Sequence, residues 1–415
     1  MNRLLAFLLV ILLLIAMDFY VFQGFKFFIK RWVPSQQSLM NYLYWLVPLG
    51  LILLLFVMGF AGKTMNNSLV SRFIFSLVIM FYLAKMAWFI FIAVDDIVRL
   101  GRFLKGASDI PNEAMMAKIN RSTFIVSAGA LVAGSLMGGL IYGIVRGAHH
   151  YQVLKRTLKI PALPSAFEGL KIVQISDIHS GSFWSKDSVA RGIELIKDQG
   201  ADIIFFTGDL VNNEAKEFEE YKSLFSKIQA PMGVYSILGN HDYGDYVSWP
   251  NKEGLSKEEN LNKLKAHQKE IGWKLLANEH HLLEKEGARM AVIGVENWGD
   301  RGFSQYGDLD KAYNGSEEAD VKMLLSHDPS HWRAQVLEKY KDIVATFSGH
   351  THGMQFGVDS KYFKWSPVQY RYKEWADLYE EAGQYLYVNR GFGYLGYPGR
   401  LGFRPEITVF ELESA

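Results

Sequence analysis

The sequence predicts an N-terminal α-helical transmembrane bundle followed by an α/β domain. Hydrophobic residues make up 49% of the 415 residues, which is high for a wholly soluble protein. The first third of the chain contains four apolar stretches, and from Leu170 onward short β-rich runs alternate with amphipathic helical patterns, as in α/β domains. We therefore divide the chain into a four-helix transmembrane region (1–146), a linker (147–168) and an α/β domain (169–415).

Each apolar stretch is close to the ~20 residues that cross ~30 Å of hydrocarbon as a helix. The stretches are Leu4–Val21, Tyr42–Phe60, Phe73–Val94 and Phe124–Val145. A cleaved signal peptide is the alternative interpretation of the first stretch, but no small-residue cleavage site follows it. We interpret all of them as retained anchors, so the lipid bilayer is an expected partner.

The charge and the cysteine content exclude several classes of function. The net charge is +1, from 44 basic and 43 acidic residues, so we expect no nucleic-acid partner. The chain has no cysteine, which excludes disulfides, zinc–thiolate sites and cysteine nucleophiles. This absence fits an oxidising and a reducing compartment equally well.

The basic residues of the loops bear on the membrane side of the C-terminal domain. An even number of spans places both chain ends on one side, and the alternate loops carry seven and eight Lys or Arg residues, which is almost no bias. The segment Lys118-Ile-Asn-Arg121 directly precedes the fourth apolar stretch, in the manner of the basic region of an export signal. This segment favours an extracytoplasmic C-terminal domain.

Beyond the predicted linker, which contains Pro161 and Pro164, the chain contains eight strand candidates and four helix candidates. The strand candidates are KIVQIS, DIIFFTGD, GVYSILGN, MAVIGVEN, VKMLLSHD, DIVATFSGH, YLYVNRG and ITVFEL. The helix candidates are Asp187–Asp198, Glu214–Ile228, Lys257–Ile271 and His331–Lys339.

Carboxylates, imidazoles and one carboxamide follow five of the predicted strands. They are Asp177 and His179, then Asp209, then Asn240, His241 and Asp242, then His327, and finally His350 and His352. Strand ends on one edge of a sheet converge in space, so we expect these side chains to meet. Hard oxygen ligands mixed with nitrogen ligands, without sulfur, suit two divalent ions such as Mn, Fe or Zn.

Each of these blocks has a simpler interpretation when it is taken alone. Asp and Asn at strand ends commonly form turns, and an isolated histidine is commonly structural. The two pairs Asp177-Ile-His179 and His350-Thr-His352 instead place alternate side chains on the same side of an extended segment. The coincidence of five blocks at successive strand ends favours one shared two-metal site.

The five blocks, in this order, resemble the calcineurin-like metallophosphoesterase superfamily, whose pattern is DxH, GD, GNH(D/E), H and GHxH. The resemblance covers residues 170 to 412. The tail YVNRGFGYLGYPGRLGFRPEITVFEL is similar to that of membrane-anchored bacterial phosphodiesterases, although Asn389 stands where their pattern usually has serine. The resemblance implies two packed mixed β-sheets flanked by helices, a four-layer sandwich.

The resemblance also implies a role for each polar residue. One ion would be held by Asp177, His179 and His352, the other by Asn240, His327 and His350, and Asp209 would bridge them. His241 would protonate the leaving alkoxide or lie against the phosphoryl oxygen, with Asp242 orienting its ring. Two ions can clamp a phosphoryl group and share a bridging hydroxide as nucleophile.

Two further features concern the substrate. Arg390, Arg400 and Arg404 follow the last strands and are candidates for phosphate binding, with salt bridging as the alternative. The segment YFKWSPVQYRYKEWADLY is rich in aromatic and basic residues, which fits a membrane-interface lid and a packed loop equally well.

We therefore expect an integral protein of the bacterial plasma (inner) membrane that hydrolyses a phosphodiester, phosphomonoester or pyrophosphate bond. The anchor favours a lipid-linked substrate, and the resemblance extends to hydrolases that cleave UDP-diacylglucosamine. The alternative is a catalytically silent, phosphate-binding membrane sensor or scaffold. The sequence does not indicate an oligomeric state.

Overall fold

The structure is a computed structural model that describes residues 3–60, 69–104, 121–251, 253–300, 302–360 and 362–415. The chain divides into two compact units, Met1–Tyr142 and Gly143–Ala415. Lys63 and Lys105, two of the loop residues counted for the orientation, and residues 118–120 of the basic segment lie outside the described residues.

The first unit is helical. Its helices are α1 (Arg3–Trp32), α2 (Gln37–Phe60), α3 (Leu69–Leu104) and α4 (Arg121–Val145), the last of which ends just inside the second unit. Four helices of the described chain are long and apolar enough to cross a membrane, as the sequence predicted. They extend beyond the apolar stretches. For example, α1 continues as a helix past Val21, through an aromatic-rich segment, to Trp32.

The second unit contains fourteen strands and five further α-helices among its described residues. The strands are β1 (Gln152–Ile160), β2 (Lys171–Ile175), β3 (Ile203–Phe206), β4 (Val234–Ser236), β5 (Lys274–Leu275), β6 (Glu279–Lys285), β7 (Ala288–Gly294), β8 (Val321–Leu325), β9 (Ile343–Ser348), β10 (Val358–Asp359), β11 (Lys364–Trp365), β12 (Asp377–Glu381), β13 (Gln384–Val388) and β14 (Glu406–Ser414). The helices are α5 (Lys186–Lys197), α6 (Lys222–Phe225), α7 (Lys257–Glu270), α8 (Leu309–Tyr313) and α9 (Leu337–Lys339).

Twelve of the strands form two six-stranded mixed sheets. The first sheet has the order β1-β14-β2-β3-β4-β5, and the second has the order β12-β13-β9-β8-β7-β6. Strands β2, β3 and β4 run parallel to one another, and so do β7, β8, β9 and β13. The remaining pair, β10 and β11, is a short antiparallel hairpin.

The sheets pack face to face and are covered by helices on their outer faces. The rings of Phe205 on β3 and Phe347 on β9 meet between the sheets with their centroids 5.0 Å apart. Helix α5 begins at Ser185, whose side chain accepts a hydrogen bond from the backbone of Ser188, and packs its apolar side against the first sheet. This arrangement confirms the predicted fold class.

Several local predictions differ from the structure. Residues 152–160 of the predicted linker form edge strand β1, which pairs in parallel with β14 along its whole length. The predicted helix Glu214–Ile228 is interrupted and retains only a 3₁₀ turn and the short α6, while His331–Lys339 begins as a π-helical turn before α9. All eight predicted strands are present.

Candidate metal centre

The ends of five strands, three from one sheet and two from the other, place the predicted ligands in a single cluster. Strands β2, β3 and β4 lead to Asp177 and His179, to Asp209 and to Asn240, while β8 and β9 lead to His327 and to His350 and His352. Because the two sheets are packed against each other, parallel strand ends of both sheets meet at the same edge.

The first group in this cluster consists of Asp177, His179 and His352. His179 Nε2 lies 3.0 Å from His352 Nε2, which lies 3.2 Å from Asp177 Oδ1. One donor atom from each residue lies within 4.8 Å of the others, and all three residues are buried. This spacing allows all three side chains to reach a single cation.

Asp209 joins the first group to a second one. Its Oδ2 lies 3.2 Å from His327 Nε2 and 3.5 Å from His179 Nε2. Asp177, Asp209 and His327 form a second buried group with donor atoms within 4.8 Å of one another. The position of Asp209 between the two groups is the one expected of a bridging carboxylate.

Asn240 and His350 complete the cluster on the side of His327. The amide oxygen of Asn240 lies 2.9 Å from His350 Nδ1, and the rings of His327 and His350 have their centroids 5.1 Å apart. The other ring nitrogen of His350, Nε2, lies 2.8 Å from the hydroxyl of Tyr372. The structure thus brings together all seven residues that the sequence singled out as ligands.

The backbone at this cluster is strained. Asp177, His179, Asp209, His350 and His352 all have positive φ values, between 48° and 71°, which is uncommon for residues other than glycine. A Cβ atom on Gly349 would overlap the carboxylate of Asp177, and one on Gly239 would overlap that of Asp209. Glycine is therefore required at both positions for the loops to approach the carboxylates so closely.

The electrostatics of the cluster favour the ligand forms of most of its side chains. Burial opposes ionisation of Asp177 and Asp209, but the neighbouring histidines outweigh burial and lower the pKa of both carboxyl groups. Burial lowers the pKa of His179 to about 3, so its imidazole is neutral. Burial would also lower the pKa of His327, but Asp209 raises it to about 10, so binding of a cation there would release a proton.

Divalent cations fit the donor atoms of this cluster. His327 Nδ1 donates to the carbonyl oxygen of Thr207 at 2.7 Å, which leaves Nε2 as the donor atom on the side of Asp209. His327 Nε2 is buried, and although it lies 3.2 Å from Asp209 Oδ2 it lacks the in-line geometry of a hydrogen bond. Such an arrangement is typical of two ligands of one ion.

His241 lies beside the cluster with a defined orientation. Its Nδ1 lies 2.8 Å from the carbonyl oxygen of Asn212, so Nδ1 carries a proton and Nε2 is the nitrogen that remains for proton transfer. Its backbone N–H donates to Asp209 Oδ1 at 2.8 Å, and its ring packs edge-on against that of His179, with centroids 5.0 Å apart.

Asp242 does not orient the ring of His241, contrary to our expectation. Its buried carboxylate accepts hydrogen bonds from four backbone N–H groups, those of Asp209, Leu210, Val211 and Gly239, at 2.8 to 3.2 Å. Burial and the neighbouring Asp209 raise the pKa of Asp242 to about 7. Asp242 therefore holds the loops after β3 and β4 together, and the carbonyl group of Asn212 orients His241.

Two of the three arginines predicted to contact substrate are buried in the protein. Arg390 forms ion pairs with Glu406 and, at 3.2 Å, with Asp359. Arg400 donates to the carbonyl oxygens of Arg390 and Gly393, and its Nη2 lies 3.3 Å from His352 Nδ1. Both guanidinium groups hold the segment after β13, and for Arg390 the ion pairs correspond to the alternative of salt bridging. Arg404 is exposed, and its contact with substrate stays a prediction.

Comparison with known proteins agrees with this arrangement. Residues 170–354 match the family described as "Calcineurin-like phosphoesterase", and residues 2–148 match the one described as "Probable Calcineurin-like phosphoesterase, transmembrane domain". The chain is 28% identical to the metallophosphoesterase YkuE of Bacillus subtilis over 72% of its own length and 99% of that protein. It is 27% identical to a transmembrane protein with metallophosphoesterase domain from Danio rerio, over 76% of this chain and 68% of that one.

A further relative carries a more specific name. UDP-2,3-diacylglucosamine pyrophosphatase LpxG of Chlamydia trachomatis is 27% identical over 58% of this chain and 83% of that protein.

Proposed function

We propose that this chain, which belongs to the calcineurin-like phosphoesterases, carries out its reaction at the cluster around Asp209. There this membrane-associated hydrolase of phosphoric esters cleaves a phosphodiester, phosphomonoester or pyrophosphate bond of a lipid-linked substrate. The observation that carries this proposal is the convergence of seven metal-ligand side chains from five strand ends, with His241 beside them. Nothing supports the alternative of a catalytically silent sensor.

The ligand side chains divide into two sets around Asp209. We assign Asp177, His179 and His352 to one divalent ion and Asn240, His327 and His350 to the other, with Asp209 shared between them. When bound, the ions supply Lewis-acid activation of the phosphoryl group and of water. The donor atoms are compatible with Mn, Fe or Zn.

His241 is the side chain placed to move a proton. In hydrolysis, water adds its oxygen to phosphorus and releases one proton to solvent, the bond from phosphorus to the leaving oxygen breaks, and that oxygen takes up a proton. The hydrogen bond between Nδ1 and the Asn212 carbonyl group fixes the ring, so Nε2 of the protonated imidazole can give its proton to the leaving oxygen. The imidazole then recovers a proton from solvent.

The enzymatic part of the proposal is tested with the full-length protein in detergent, supplied with Mn²⁺ and a chromogenic bis-phosphodiester. We expect hydrolysis by the wild type and a loss of about 10²-fold or more in His241→Ala, the range expected for a general acid. His281→Ala, which removes a histidine on β6 beside Lys274, is the matched control and should keep wild-type activity. A metal-loaded but inert wild type would contradict the proposal.

The lipid-linked substrate is supported by the four candidate spans and by the name of the Chlamydia trachomatis relative. A comparison of the lipids of cells with and without the protein tests this part. We expect a phosphorylated or pyrophosphate-linked lipid to accumulate when the protein is absent. Unchanged lipids beside an active enzyme would point to a water-soluble phosphoester.

We further propose that the protein lies in the bacterial plasma membrane with the second unit on the extracytoplasmic side. The basic segment before α4 supports this orientation. Protease added to intact spheroplasts should digest the second unit, and complete protection would reverse the assignment.

A further inference from the structure

Exposed apolar side chains of the second unit are concentrated in one short segment. Among its described residues, nine large hydrophobic side chains are exposed, and five of them lie within residues 354–370. They are Met354 (58% exposed), Val358 (44%), Tyr362 (90%), Phe363 (58%) and Tyr370 (78%), which we call the apolar rim. Scattered exposed apolar residues are normal, whereas a cluster of them marks an interaction surface.

The backbone places four of these side chains, all except Met354, on a short hairpin and on the turn that follows it. Strands β10 and β11 pair Val358 with Trp365, so Tyr362 and Phe363 lie at the turn of the hairpin. The indole N–H of Trp365 lies 3.5 Å from the hydroxyl of Tyr370, which brings the following turn beside the hairpin.

The base of this element is fastened to the metal-ligand loop. The Thr351 hydroxyl, between the two ligand histidines, donates to the carbonyl oxygen of Trp375 at 2.6 Å, and the Ser366 hydroxyl donates to that of Gly353 at 2.8 Å. Beneath the element, Val368, Tyr372, Trp375, Ala376 and Phe403 form a small buried cluster. Of these, Tyr372 reaches His350 Nε2 at 2.8 Å. The apolar rim is therefore carried by a packed element that borders the metal centre.

The composition of the element matches the interfacial region of a bilayer. Tyrosine prefers the headgroup level, where an apolar ring meets water on one side, and phenylalanine is common on the face that interfacial segments bury at the boundary with the acyl chains. Arg371 and Lys373 supply exposed cations within the same segment, and a bilayer that contains anionic lipid attracts such residues. A chain with four candidate membrane spans has a bilayer available as the partner of this surface.

We propose that the apolar rim inserts into the headgroup region of the bilayer and so presents the metal centre to phosphoryl groups of lipid molecules. The contact itself does not depend on the proposed function; its consequence for substrate access does. A lipid-linked substrate would then need to leave the bilayer only by the depth of its headgroup.

The absence of cysteine allows a direct test of the contact. Phe363→Cys in the full-length protein provides a single site for an environment-sensitive fluorophore, and the protein is placed in nanodiscs that contain spin-labelled phospholipid and about 20% anionic lipid. The matched control is Glu284→Cys, an exposed position on β6, which is the edge strand of the second sheet at the end away from β12. We expect at least about threefold stronger quenching at residue 363 than at residue 284. Equal quenching at both positions would overturn the proposal.

A kinetic experiment tests the consequence for substrate access. The variant Phe363→Ser/Tyr370→Ser should lose about tenfold or more in kcat/KM toward a phosphoester lipid carried in the same nanodiscs, and should match the wild type toward a water-soluble chromogenic phosphodiester. Equal losses on both substrates, or on neither, would refute the role in substrate access. A wild type inactive on every phosphoester would instead refute the proposed function, and the quenching comparison would still decide whether the rim meets lipid.

Discussion

Among the described residues, a buried cluster of charged side chains in the helical unit can be compared with the metal centre of the second unit, and the two differ in whether their charges are balanced internally. In the helical unit, Asp18 and Lys85 form a buried ion pair. Tyr82 donates to Asp18 Oδ2 at 3.0 Å, and Tyr44 donates to the Asp18 carbonyl oxygen at 2.7 Å. The acid therefore has a cation and a hydroxyl group as partners within the same cluster.

The metal centre lacks such an internal balance. It places Asp177 and Asp209 close together, surrounds them with histidines and holds the backbone at positive φ. A buried polar cluster whose charges balance one another stabilises a fold or specifies its packing. A cluster that gathers more metal-binding atoms than its own charges balance indicates a bound ion or substrate. The contrast predicts that mutation in the metal centre lowers activity while the fold is retained, whereas mutation in the Asp18–Lys85 cluster lowers stability. It also predicts that metal removal affects only the metal centre.

The largest expected effect is on catalysis. Asp209→Asn keeps the shape of the side chain but removes the negative charge between the two groups of ligands. We expect kcat/KM toward a soluble phosphodiester to fall by at least about 10³-fold, or about 4 kcal/mol of transition-state stabilisation, with the fold retained. Asp198→Asn, at the exposed end of α5, is the control. Activity within tenfold of wild type would exclude Asp209 as a bridging ligand.

The next effect is on the stability of the helical unit. Asp18→Asn leaves Lys85 buried without its carboxylate, which we expect to cost about 3–5 kcal/mol in the free energy of unfolding of the full-length protein in mixed micelles. Activity per folded molecule toward a soluble ester should not change. The double variant Asp18→Leu/Lys85→Met removes both charges and should recover most of the loss. A single variant as stable as wild type would show that the pair contributes little.

Metal removal should affect only the second cluster. Chelation of an ion present at 100 times its Kd removes about 2.7 kcal/mol of stabilisation, which corresponds to about a hundredfold faster hydrogen exchange where exchange requires the site to open. We expect this acceleration in peptides around Asp177 and His350, whose backbone N–H donates to Asp177, and none in peptides from α1 and α3. Uniform acceleration in both units would contradict the contrast between the clusters.

The convergence of the candidate ligands was predictable from the sequence because each directly follows an apolar run recognisable as a buried strand. Parallel strands of a sheet bring their ends to one edge, so Asp177 could be grouped with Asp209, and His327 with His350, without knowledge of the strand order. The meeting of these two groups depends on the packing of the two sheets against each other. The pairing of β1 could not be predicted in this way, because its partner β14 lies some 250 residues away and β1 is a charged edge strand. Its burial pattern alternates only near its end.

The roles of charged residues next to the site were less predictable. Asp242 follows the catalytic candidate His241 in the chain, yet it accepts hydrogen bonds from backbone N–H groups of its own loop and of a neighbouring loop. Arg390 is ion-paired to Glu406 on β14, a contact that depends on tertiary packing. Tyr372 lies in a segment without helical or strand periodicity, so nothing in the sequence linked it to His350.

The smallest expected effect concerns Tyr372, which contacts the candidate ligand His350 and is not itself a candidate ligand. Tyr372→Phe removes the hydroxyl that lies 2.8 Å from His350 Nε2 and leaves the ring in its buried cluster. Partners of a ligand histidine fix its orientation, and their loss typically weakens metal binding by about 10- to 100-fold. We expect the Mn²⁺ concentration for half-maximal activity to rise about tenfold while kcat at saturating Mn²⁺ stays near that of wild type.

Tyr370→Phe, 78% exposed on the same segment, is the matched control. If both variants need the same Mn²⁺ concentration as wild type, the hydroxyl of Tyr372 does not support His350 as a ligand, and the hydrogen bond serves only to hold the segment.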